Sequence, residues 1–148
     1  MQPARQKDIR ILDLASKSVS ILPESTGMFS PRWSPDGRYI AAMTLDQHRL
    51  MVFDRNTSKW SVLAEGLLHN PVWARDGKYV YFQALQEDEV PIFRVSVTDH
   101  HLERICDRSV ANSADSILFW GLAPDGAPIG SFLFYGADVY GVNWNHGR

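Results

Sequence analysis

Three aspartates recur at matched places in this 148-residue chain: Asp36, Asp76 and Asp125, each followed by glycine. A ring of carboxylates could hold a cation. Calcium, however, takes several oxygen ligands converging within one loop, and "SPDGR" supplies one side-chain carboxylate. Asp-Gly reads better as a tight turn. The aspartate accepts hydrogen bonds from nearby backbone, and glycine takes the positive φ that the reversal needs. His100-His101 is a second candidate, since imidazoles bind metals, but adjacent side chains point apart and do not converge on one ion. His48, His69 and His146 are isolated, and the acidic run Glu87 to Glu89 reads as a solvated loop tip. No Gly-x-Ser-x-Gly elbow and no glycine-rich phosphate loop is present; the glycines mark turns. The chain is therefore expected to be non-enzymatic, with no catalytic residue, no metal and no cofactor.

Those aspartates sit in a longer repeat. "SPRWSPDGRYIAAMTLDQHRLMVFDRNTSKWSVLAEG" begins at Ser30, and "NPVWARDGKYVYFQALQEDEVPIFRVSVTDHHLERICD" begins at Asn70. Pro31 and Pro71, Trp33 and Trp73, and Asp36 and Asp76 each lie 40 residues apart. A weaker copy, "LFWGLAPDGAPIGSFLF", carries Asp125-Gly126 with Trp120 a few residues earlier. A further series, "IRILDL", "LMVFDR", "IFRVSV" and "VYGVNW", marks the later part of each unit. A period of roughly 40–50 residues with several short strands per unit is the mark of propeller blades. "RYIAAMTL" and "KYVYFQAL" are apolar on both parities, so both faces of those strands are expected to be covered. No window has sustained helical spacing. The reading is all-β, with blades of four antiparallel strands.

Composition agrees and sets limits. Apolar residues make up 45% and charged residues 22%, the formal charge is −2, and five Trp, five Tyr and seven Phe suit sheets. There is no basic excess, so no direct nucleic-acid contact is expected. The single cysteine, Cys106, excludes an internal disulfide and is read as a small core residue of a strand. "MQPARQKDIR" has no apolar signal core, and no window approaches the roughly 18 apolar residues of a membrane helix. No membrane association is expected; the compartment stays open between cytoplasm and periplasm.

The run Pro31-Arg32-Trp33-Ser34-Pro35-Asp36-Gly37-Arg38-Tyr39-Ile40-Ala41, followed by "VFDRNTS", resembles the TolB-like, WD-type β-propeller repeat over nearly the whole chain. The second copy departs at Ala74 and Arg75. The third has an insertion before Trp120 and Gly130 where a β-branched residue is expected. "DVYGVNW" looks like the closing strand of such propellers in large bacterial regulators, where the propeller follows a winged-helix or kinase domain. The resemblance also includes propellers that gate prolyl-oligopeptidase-type hydrolases, which makes the propeller portion of a hydrolase the alternative.

Counted in strands, the chain is expected to hold the end of a blade (1–29), two blades (30–69 and 70–107) and an incomplete last blade (108–148), with thirteen strands in all. That is about three blades, and closed propellers have about 4–8. Three outcomes follow: a piece of a longer propeller, an open arc, or a homo-oligomer that completes a ring. The functional expectation is a binding or scaffold module for a protein partner or small ligand. The candidate binding residues, on the channel or loop side, are Arg32, Trp33, Val72, Trp73 and Trp120; for the tryptophans a core role competes.

Overall fold

The computed structural model describes residues 7–86, 89–106 and 116–134. Twelve strands are found among them: β1 (Arg10–Leu12), β2 (Val19–Ile21), β3 (Met28–Trp33), β4 (Tyr39–Thr44), β5 (Arg49–Asp54), β6 (Lys59–Glu65), β7 (Leu67–Trp73), β8 (Tyr79–Leu85), β9 (Ile92–Ser96), β10 (Leu102–Cys106), β11 (Ser116–Leu122) and β12 (Pro128–Leu133). No helix occurs among the described residues. The expected thirteenth strand, at Val139, lies outside them, as do His146, Glu87 and Asp88.

The strands form four antiparallel sheets in chain order. β1 pairs with β2; β3 to β6 make a four-stranded meander; β7 to β10 make another; β11 pairs with β12. The two complete sheets are propeller blades, and the Asp-Gly turns join their first two strands. Gly37 and Gly77 sit at φ 72° and 71°, a region that costs other residues about 1–2 kcal/mol. The turn aspartates cap the backbone. Asp36 Oδ1 accepts from Arg38 N at 3.0 Å, Asp76 Oδ1 from Lys78 N at 2.9 Å, and Asp125 Oδ1 from Ala127 N at 3.0 Å. The first strand of each blade also carries a bulge, at Phe29/Arg32 and at His69/Val72, where Ser30 and Asn70 take φ 54° and 52°.

Alternation explains why β4 and β8 lack a polar face. Ala41 and Met43 point toward the following sheet and join Leu50, Val52, Trp73, Val80 and Phe82 in one core cluster. Ile40 and Ala42 point the other way and meet Ile9, Leu22 and Phe53. In β8 the even positions face backward, while Tyr81 faces forward to Ile92 and Phe119. Each sheet thus hides its neighbour's apolar flank, the packing that drives sheet-on-sheet folds.

Candidate functional site

A cleft of about 460 Å³ opens between the second complete blade and the β11–β12 sheet, at the end where the Asp-Gly turns lie. One wall is Val72, Trp73, Ala74 and Arg75; the other is Leu122, Ala123, Pro124 and Gly126; Tyr81 is also part of the lining. Arg75 is exposed and replaces the proline found at Pro35 and Pro124 in the other two turns, so it sets a cation on the cleft.

From Tyr81 in the cleft lining toward β10 the second blade departs from the first. Register places Tyr81, Arg94 and Glu103 side by side across β8, β9 and β10. The same positions in the first blade are Ala41, Val52 and Ser61. Arg94 Nη1 donates to the Tyr81 hydroxyl at 3.3 Å, and Arg94 Nε donates to Glu103 Oε2 at 2.8 Å. Its guanidinium also lies 4.6 Å from the Tyr79 ring centre, a cation–π distance. The Tyr81 oxygen and then the Glu103 carboxylate hold Arg94 protonated even further above its ordinary range.

The five candidate residues divide. Val72 and Trp73 line the cleft. Trp73 is mostly core: it is 9% exposed, stacks on Tyr39 with ring centres 6.2 Å apart, and donates from Nε1 to the Arg32 carbonyl at 2.8 Å. Arg32 is exposed on β3, and its Nη1 donates to the carbonyl of Pro31 at 3.0 Å. Trp33, its blade's counterpart of Trp73, is 47% exposed, with the Arg55 guanidinium 5.2 Å from its ring centre. Among the described residues the sheet before it has two strands, which match β5 and β6, and none of them is a counterpart of β3 beside Trp33.

Trp120 does not hold the repeat position at all. Leu122 precedes Asp125 by the spacing that Trp33 and Trp73 keep, and Leu122 packs on the Tyr81–Phe119 cluster. Trp120 sits at a bulge between Phe119 and Gly121, exposed, donating from Nε1 to Ser131 Oγ at 2.8 Å. The third turn is one residue shorter as well: Ala123 N reaches Ala127 O, whereas Ser34 N and Ala74 N reach Tyr39 O and Tyr79 O. Gly130 is required where it stands, because a Cβ there would lie 2.8 Å from the Leu118 carbonyl. Cys106 is half-buried at the end of β10.

The residue that pattern reading missed is Gln83. It is 1% exposed; its Oε1 accepts from Phe119 N at 2.9 Å and its Nε2 donates to Ile117 O at 2.8 Å. Asn70 Nδ2 adds a bond to Phe119 O at 3.2 Å. These amides fasten β11 to the second blade and so fix the cleft's far wall. The first blade has Met43 at the position of Gln83, an unusual swap of an apolar residue for a buried amide, and that was the available signal. The histidine pair lies in the β9–β10 turn, where His100 has φ 58° and His101 N donates to Asp99 Oδ1 at 3.2 Å.

Strand order, turns and inter-sheet packing define a partial β-propeller of TolB-like form. It is similar to TolB from Acinetobacter baumannii (TM-score 0.61, 22% identity, 79% of this chain and 29% of that one). It is similar also to a putative TolB from Agrobacterium tumefaciens (0.58, 18%, 88% and 51%). A third likeness is to the β-propeller domain of the Trilobed protease from Pyrococcus furiosus, described as having an open velcro topology (0.56, 18%, 69% and 34%). The chain thus spans between about a third and a half of these three structures. At these identities the likeness is one of fold. No family model matches the sequence, and no curated protein does.

Proposed function

We propose that this chain is a non-catalytic binding module, part of a larger bacterial regulatory or sensory protein, that offers the cleft between its second complete blade and the β11–β12 sheet to a protein partner or small ligand. One observation carries this reading: repeats built to the same plan differ where the second blade meets the cleft, with Tyr81 in its lining in place of Ala41, and with Arg94 and Glu103 extending a polar row from Tyr81 where the first blade has Val52 and Ser61. The first blade forms with Ala41, Val52 and an exposed Ser61 at those positions, so a hydrogen-bonded Tyr–Arg–Glu row is an addition to the fold. Rigid apolar walls with a few placed polar groups suit ligand recognition. The acids and bases of the row are already committed to one another, which favours recognition over proton transfer. Arg75 on the rim favours an anionic group on the occupant, such as a peptide carboxylate.

The test is selection of peptides from a displayed random heptamer library against the full chain, followed by NMR mapping and titration with the selected peptides. Bound peptides should shift the amides of Val72 to Arg75 and Leu122 to Gly126. Arg75→Glu, a change at an exposed site, should weaken binding by about tenfold or more, the equivalent of about 1.4 kcal/mol. Selected peptides that map elsewhere, or that ignore Arg75→Glu, refute the assignment.

A further inference from the structure

The chain contains a filled version of its own cleft. Where the first complete blade meets the second, Trp73 reaches back and fills the space between the sheets. Its indole N–H donates to the Arg32 carbonyl at 2.8 Å, its ring stacks on Tyr39, and it packs in one cluster with Ala41 and Val52 of the first blade. Past it the turn tips nearly touch: a Cβ on Gly77 would lie 3.8 Å from Pro35.

The next junction repeats these surroundings without the indole. Counted from the turn aspartates, Leu122 holds the place of Trp73 and Gly126 that of Gly77, while Val72, Arg75 and Tyr81 hold the places of Arg32, Pro35 and Ala41. All five of these later residues line the cleft. Leu122 has neither a ring to send across nor an N–H to donate, and it is half-buried where Trp73 is buried. No side chain among the described residues donates to the Val72 carbonyl. Tyr79, the counterpart of Tyr39, carries the Arg94 guanidinium 4.6 Å from its ring centre and lies outside the lining, so the aromatic surface of the cleft comes from Tyr81 and Trp73. The 460 Å³ that remain fall within the about 300–1,000 Å³ of small-ligand sites.

We propose that the cleft takes an indole from outside the chain, one that carries a carboxylate. The indole N–H donates to the Val72 carbonyl as Trp73 donates to that of Arg32, the ring lies against Tyr81 and Leu122, and the carboxylate meets Arg75. That chemistry is shared by the C-terminal tryptophan of a peptide and by a free indole carboxylic acid. The inference rests on the reading of the cleft as a binding site and narrows its occupant.

Calorimetric titration and NMR amide mapping on the full chain test it. The probes are indole-3-acetate, 1-methylindole-3-acetate, and the tripeptide Ala-Ala-Trp with a free or an amidated C-terminus. Indole-3-acetate and the free-acid tripeptide should shift the amides of Val72 to Arg75 and Leu122 to Gly126, and the tighter of the two identifies the source. The methylated probe lacks only the N–H and should bind about tenfold more weakly or worse; this comparison leaves the protein untouched. Amidation should weaken the tripeptide by a similar factor, and Arg75→Glu, at an exposed site, should remove the difference between acid and amide. Leu122→Trp should refill the place with the chain's own indole and abolish probe binding. Equal binding of the methylated probe overturns the proposal, as do probes that map elsewhere or that bind only a Trp144→Phe variant, which would put the chain's own tryptophan in the cleft. Library-selected peptides that map to the cleft but lack tryptophan overturn this inference and leave the cleft a binding site; peptides that map elsewhere overturn that reading as well.

Discussion

Replacing Gln83 by methionine installs the residue that the first blade carries at the same position, Met43. The side-chain volume is nearly kept and the apolar content rises, so packing alone predicts a neutral or slightly favourable change. Hydrogen bonding predicts the reverse. The variant removes the partners of the Phe119 N–H and the Ile117 carbonyl, and Phe119 is fully buried. A buried polar group left unpaired costs about 1–3 kcal/mol. Two such groups cost about 2–6 kcal/mol, and added apolar burial returns about 1 of that. The net loss is about 1–5 kcal/mol, which for a chain of this length lowers the melting temperature by at least about 2–4 °C. Urea unfolding followed by circular dichroism measures the loss, and hydrogen exchange locates it: amides of β11 should lose protection before those of β4 and β5. A variant within about 0.5 kcal/mol of the parent, with Phe119 protection intact, would refute the claim that the amide fastens the last sheet.

Trp73→Ala should cost about 3–5 kcal/mol, since it opens the cluster between the two complete blades and strands the Arg32 carbonyl; thermal unfolding measures it. Gly77→Ala should cost about 1–2 kcal/mol, because φ there is 71° while the nearest side-chain atom to an added Cβ lies at an ordinary 3.8 Å, so strain and not a clash sets the loss. Acid should unfold the chain through its turns. The Ser34 hydroxyl and then the Arg38 N–H lower the Asp36 carboxyl below 3.8, and the Thr44 hydroxyl and then the His48 N–H do the same for Asp46. These carboxyls bind fewer protons folded than unfolded, so their contribution is complete above about pH 4 and fades as pH falls through the lowered folded values. Urea midpoints between pH 2 and pH 6 should show that fall, and Asp36→Asn should flatten it.

The contrast between Trp33 and Trp73 shows how far local sequence reaches. Both residues belong to the same short device, and turn chemistry, bulge and strand pairing follow from it at each repeat, since those interactions span only a few residues. The twofold apolar parity of β4 and β8 likewise announced covered faces. Which tryptophan is buried depends on whether a matching inner strand stands beside it, and that is a property of the neighbouring sheet. Trp120 misled for the opposite reason: a bulge and a shortened turn shifted the repeat, leaving Leu122 in the tryptophan's place.

Sequence alone determined the strands, their turns and the blade plan, because period, parity and Asp-Gly chemistry act over neighbours in the chain. Tertiary structure alone decided the cleft, the Tyr81–Arg94–Glu103 row and the Gln83 clasp. Those partners lie 13, 9 and 36 residues apart and meet only when strands align and sheets stack, so no local pattern encodes their contact.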